Sequence, residues 1–184
     1  MKKFFLIVLI LMGFNLYADP AVRFTEIMRW FGKSDGDVIS AGGVLTSETD
    51  LSAFPLGIRI MRTYILRKEY GAYAFTINDG RVRHVQFSNP VIADVEENRD
   101  HPGAGRIHYR TESEFRDDAE RIRHLVQSLN GRLVSDNTSF GANTRHYKIF
   151  IERTFEVDIF VHTFIQNRAQ NHFGFFQIKA AAIN

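Results

Sequence analysis

In the stretch "DPAVRFTEIMRWFGKSDG", Phe24, Ile27, Met28 and Phe31 recur at i, i+3, i+4 and i+7. That spacing lines one face of an amphipathic helix, with Asp19 as its cap, Pro20 at its first position and Gly32 at its end. Trp30 lies off the stripe, and a broad buried face accounts for it without a partner. Residues 34–56 are rich in Ser, Gly, Thr and Asp, and predict turns around one short strand, "DVIS" or "GGVLT".

From Gly57 the period becomes two, and "GIRIMRTYIL", "AYAFTI" and "RVRHVQF" read as strands. Asp79-Gly80 predicts a type I′ turn that pairs Ile77 with Val82, Ala74 with Val85 and Ala72 with Phe87, so that small residues meet large ones. Residues 89–111 are irregular and predict a hairpin with a long charged loop. "TESEFRDDAERIRHLVQSLNG" then reads as the clearest helix, with Thr111 and Glu114 at capping-box spacing. Phe115, Ala119, Ile122, Leu125, Val126 and Leu129 form its stripe. Its other face sets Asp117 near Arg121 and Glu120 near His124, a solvated surface that needs no ligand.

The remaining chain predicts "GRLVSD", a turn-rich "NTSFGANT", and the strands "RHYKIFI", "FEVDIFVHTF" and "HFGFFQIKAA". A three-residue loop at Glu152-Arg153-Thr154 sets Ile151 opposite Phe155, Ile149 opposite Val157 and Tyr147 opposite Ile159 on one apolar face. Phe150 then faces Glu156, Lys148 faces Asp158 and His146 faces Phe160, whereas a two-residue loop would mix the faces. The last strand is apolar on both sides, with Phe173 and Phe175 on one and Phe176 and Ile178 on the other, so both want cover.

Helix, strands, helix, strands is an α+β order: two main helices packed on antiparallel β-sheet. "YILRKEYGAYAFTI" and "IFIERTFEVDIFVH" share a plan, which suggests two diverged helix-plus-sheet halves, 19–92 and 111–184; chance likeness between hairpins explains it equally well.

The N-terminus alters the charge argument. "MKKFFLIVLILMGFNLYADP" has two lysines, a short apolar run and a stretch ending in Ala18, the layout of a secretory signal peptide cleaved after Ala18. The run is too short for a membrane span, so residues 19–184 are expected as an exported domain, periplasmic or secreted, without a span after cleavage. Retention as an N-terminal anchor is the alternative. Of the 23 basic and 21 acidic residues, only Lys2 and Lys3 fall in the leader, so the mature chain holds 21 of each. A balanced chain lacks the cationic excess that nucleic-acid binding requires. The absence of cysteine excludes thiol nucleophiles, thiolate metal sites and disulfides.

Candidate chemistry is sparse. Glu156 and Asp158 are near enough on one strand face to converge on one ion, but His162 lies about 13 Å from Asp158 along the strand, so the three form no triad. His101, Arg106, His108 and Arg110 surround the Gly-Ala-Gly turn and form a candidate anion site, with Glu156 at the sheet end as a further binding candidate. No catalytic or metal-ligating set is named, and no cofactor is expected. The function expected is a small exported non-enzymatic domain that binds a protein partner or an apolar ligand. A periplasmic hydrolase or metal-dependent enzyme is the alternative; an outer-membrane barrel is opposed by the charged helix at 112–130.

Overall fold

The computed structural model describes residues 19–54, 57, 59–68, 71–89, 112–139, 141–164 and 174–183. Asp19 caps α1, Pro20–Trp30, by accepting from the Ala21 N–H at 2.9 Å. A short α2, Asp35–Ser40, follows, then a meander of β1 (Val44–Asp50), β2 (Ile60–Lys68), β3 (Gly71–Asn78) and β4 (Arg81–Ser88). After α3, Glu112–Ser128, comes a second meander of β5 (Arg132–Ser139), β6 (Ala142–Ile151), β7 (Phe155–Phe164) and β8 (Gly174–Ala182).

The two meanders merge. Strand order is β1-β2-β3-β4-β8-β7-β6-β5, one antiparallel sheet whose central seam pairs the last strand of each meander. Val85 faces Ala180 and Phe87 faces Ile178 across that seam, and Val157 and Ile159 carry the same face onward into β7. The apolar positions of β2–β4 and β6–β8 thus form one continuous surface, on which Ile27, Val38, Phe115, Ile122 and Val126 of the helices are buried. Each such side chain contributes about 1.5–3 kcal/mol by leaving water.

The expected fold needs correcting. Two main helices on a sheet is not the architecture: of the described residues 55% are strand and 27% helix, the helices number three, and eight strands form the frame. The residues of the expected halves, 19–92 and 111–184, share one sheet, and α1 reaches across its seam. Trp30 meets Phe75 of β3 edge to face at 4.8 Å, and Phe31 meets Phe155 of β7 at 4.7 Å.

Three local expectations also change. Of the two placements for a short strand, "DVIS" is helix, in α2, which Ser34 and Asp37 open with reciprocal capping bonds, whereas "GGVLT" does lead into a strand, β1. Most of "NTSFGANT" is strand, in β5 and β6. In the β3–β4 hairpin, Asn78 pairs with Arg81 and Ile77 with Val82 as expected, but a bulge at Arg83 then slips the register, so that Phe75 faces Val85 and Tyr73 faces Phe87. The β6–β7 register agrees with expectation in every predicted pair.

One buried polar group joins α1 to the sheet. Arg23, almost wholly buried, donates from Nη1 to Glu26 at 2.6 Å, and the Tyr73 hydroxyl donates to the same carboxylate. Burial, then the bond to Glu26, pushes the Tyr73 phenol well above its ordinary range. No helix among the described residues is long and apolar enough to cross a membrane.

Candidate functional site

The helices cover one face of the sheet, and the other carries the charged pattern of "FEVDIFVHTF". Glu156 and Asp158 do lie side by side there, and they share one cation, Lys148. Lys148 Nζ bonds Glu156 and lies 3.6 Å from Asp158 Oδ1, while His146 Nε2 stands 2.6 Å from that same oxygen. The expected Lys148–Asp158 pair is therefore the longer of two contacts to Asp158. The lysine charge is held above its ordinary range, mostly by the bond to Glu156.

His162 is engaged elsewhere, its Nδ1 lying 2.9 Å from Thr144 Oγ1. Burial, then the positive charge of Lys179, holds it below the ordinary imidazole range. Its ring stacks on Phe175 at 4.2 Å, and that of His146 stacks on Phe160 at 4.4 Å. Because these rings spend their faces on one another, the row offers edges, not a platform, to an incoming planar ligand. Among the described residues no three His, Cys, Asp or Glu side chains stand close enough to hold a metal ion together. His101, Arg106, His108 and Arg110 lie outside the described residues, as do Thr111 and Phe173.

Among the described residues a concave feature lies on the other side, where α3 crosses β6 and β7. A cleft of about 290 Å³ is lined by the apolar residues Phe115, Ala119, Tyr147 and Phe164 and by Glu112, Arg116, Glu120, Arg123, Arg145 and Thr163. The helical spacing produces one wall: Glu112, Phe115, Arg116, Ala119, Glu120 and Arg123 recur at three- and four-residue steps along one face of α3. Strand alternation produces the other, since Arg145, Tyr147 and Thr163 all point to the helix-covered side.

The rim is internally paired. Arg116 Nη2 donates to Glu112 at 2.8 Å, Arg123 donates to both oxygens of Glu120, and Arg145 Nε donates to Asp136 of β5 at 3.0 Å. Arg123 is held above its ordinary range, chiefly by its hydrogen bond to Glu120. Tyr147 is 8% exposed, and its hydroxyl is not among the buried polar atoms left without a partner. The charged face of α3, expected to be merely solvated, is in part this rim. No local pattern announces it, because it exists only once β6 and β7 lie beneath the helix.

Comparison with known proteins finds no matching family model, no similar curated protein and no similar solved structure.

Proposed function

We propose that this chain is a small exported, non-enzymatic binding domain whose cleft between α3 and the β6–β7 hairpin receives an apolar group. The observation that carries the reading is the cleft itself, with Phe115, Ala119 and Tyr147 in its apolar lining and paired charges around them. Binding sites are concave and largely apolar with a few polar groups at the rim, and this one lies near the small end of their usual volume. The opposite sheet face supports a structural role instead, because its carboxylates and rings are already engaged with one another. Export is supported by the lysine-led apolar leader and by Asp19, which caps α1 directly after the expected cleavage position.

The test is titration of residues 19–184 with N-phenyl-1-naphthylamine, an uncharged apolar fluorophore. Saturable one-to-one binding is expected, abolished by Ala119→Trp, which fills the cleft, and retained by the double variant Glu156→Ala/Asp158→Ala. Binding that survives Ala119→Trp would overturn the assignment to this cleft.

A further inference from the structure

We infer that the chain is a tandem duplication of one helix-plus-meander unit, α2–β4 and α3–β8, and that the cleft is the second unit's version of a contact that Asp35 bonds shut in the first. The strand order β1-β2-β3-β4-β8-β7-β6-β5 runs from edge to seam alike in both units. Any two four-stranded meanders joined through their last strands would do the same, so finer features decide.

The joints agree bond by bond. At the end of α2 the Gly42 N–H donates to the Ile39 carbonyl and the Gly43 N–H to the Val38 carbonyl, both at 2.9 Å; at the end of α3 the Asn130 N–H donates to Gln127 at 3.1 Å and the Gly131 N–H to Val126 at 2.8 Å. One constant spacing along the chain separates each residue from its counterpart. A Cβ on Gly43 would fall 2.5 Å from Val38 Cγ1, and one on Gly131 2.8 Å from Val126 Cγ1, so the same close approach demands glycine twice. At that same spacing both edge strands are bulged: at Thr46, where Leu45 faces Tyr64, and at Val134, where Leu133 faces Tyr147. A bulge is a placed feature, so sharing one says more than sharing a strand. Beyond it Glu48 accepts from Arg62 Nε at 2.6 Å, and Asp136 accepts from Arg145 Nε at 3.0 Å. "GVLTSE" with "RTYIL" thus matches "GRLVSD" with "RHYKI", an alignment different from the hairpin likeness visible in the sequence.

The units differ where the cleft lies. At the constant spacing, Asp35 of α2 corresponds to Arg123 of α3. Asp35, its side chain 18% exposed, accepts from Arg62 Nη1 at 2.7 Å and lies 3.5 Å from the Tyr64 hydroxyl, so helix and strand are bonded directly. In the second unit the matching arginine and tyrosine, Arg145 and Tyr147, share the cleft with a second arginine in place of that acid. Arg123 turns to Glu120 on its own helix, Arg145 turns to Asp136 on the neighbouring strand, and the cleft occupies the span between them. Arg123 is a positioning residue: it leaves α3 without the bond to β6 that α2 has to β2. The two units remain equivalent whatever the cleft binds.

The experiment restores the acid. In a crystal structure of Arg123→Asp, residues 19–184, the introduced carboxylate should stand within hydrogen-bond distance of the Arg145 guanidinium, as Asp35 does of Arg62. In urea unfolding, Arg145→Gln should then raise the unfolding constant about threefold more in the Arg123→Asp background than in the parent, the size expected of a partly exposed pair. Arg123→Asn, which sets no like charge beside Glu120, should show the same excess more weakly and serves if the aspartate variant does not fold. A cost of Arg145→Gln that is equal in all three backgrounds would overturn the equivalence, wherever the introduced side chain lies.

Discussion

His146 Nε2 and Asp158 Oδ1 lie 2.6 Å apart although the β6–β7 ladder pairs neither with the other: His146 faces Phe160, and Asp158 faces Lys148. The contact is a diagonal, and with Lys148 it gives Asp158 two side-chain neighbours on one sheet face. Partly exposed pairs of this kind contribute little, because solvent screens them and side-chain entropy opposes them. A double-mutant cycle of His146→Gln and Asp158→Asn at pH 7 should return a coupling below about 1 kcal/mol. A coupling several times larger would mean that the face is a tightly organised site.

Gly174 marks a point where three elements close on one another. A Cβ there would fall 2.1 Å from the His162 carbonyl oxygen and 2.4 Å from Phe115 Cζ, so neither the sheet backbone nor the α3 ring has room to give. Gly174→Ala should destabilise by about 1–3 kcal/mol through overpacking. Gly36→Ala in α2 meets only Ser34 Oγ at 3.6 Å and should be neutral or stabilising by up to about 1 kcal/mol. Urea midpoints of the two variants check the contrast.

The β6–β7 turn holds two non-glycine residues in left-handed backbone, Glu152 at φ 49° and Arg153 at φ 58°. Each such residue is disfavoured by about 1–2 kcal/mol relative to right-handed backbone. Replacing the second by glycine relieves that strain at some cost in unfolded-chain entropy. Arg153→Gly should therefore raise stability by about 0.5–1 kcal/mol. A thermal midpoint at or below that of the parent protein would show that the Arg153 side chain earns its place elsewhere.

His84 and His162 both sit below the ordinary imidazole value, first through burial and second through Lys179. On acidification the unfolded chain takes up these protons before the folded one does, so the folded state is favoured fully above about pH 6.5 and loses ground below it. Urea midpoints should fall between pH 7.5 and pH 5.5, and the fall should shrink in His84→Gln/His162→Gln. Lys179→Met should move both imidazole titrations upward in an NMR series. Asp37, Asp50 and Asp136 are held below the ordinary carboxylate range by hydrogen bonds, so their contributions vanish only at more acidic pH, below about 4. The two windows are separable.

The sheet was readable from sequence where its two faces differ in polarity. In β6 and β7 every apolar residue that changes face by one position would be exposed, so a single register satisfied the pattern. In β4 the pattern itself carries the irregularity: Val82 and Val85 are three apart, and both can face the core only if Arg83 bulges out of the ladder. The edge strands β1 and β5 were harder, because strands exposed on both sides carry no alternation to read; Asn137 and Thr138 look like turn residues and are strand. α2 was missed although Ser34 and Asp37 have the spacing of a cap, since six residues are too few to show a helical period. Glu156 lies near the start of β7 and bonds Lys148, a contact that the strand pairing alone does not announce. The cleft could not be read at all. Its arginines come from α3 and β6, and only the sheet order brings them to one rim.

The central seam has a temporal consequence. β4 ends at Ser88, and its partner β8 is completed only at Ala182, with the whole second meander made in between. A chain synthesised from its N-terminus can close β1 to β4 early through short hairpins, yet β4 then waits as a bare edge, with unpaired backbone groups beside Val85 and Phe87. Until the final strand arrives, the middle of the finished sheet is the outside of an unfinished one, and this interval is when the chain is most open to pairing with the wrong strand.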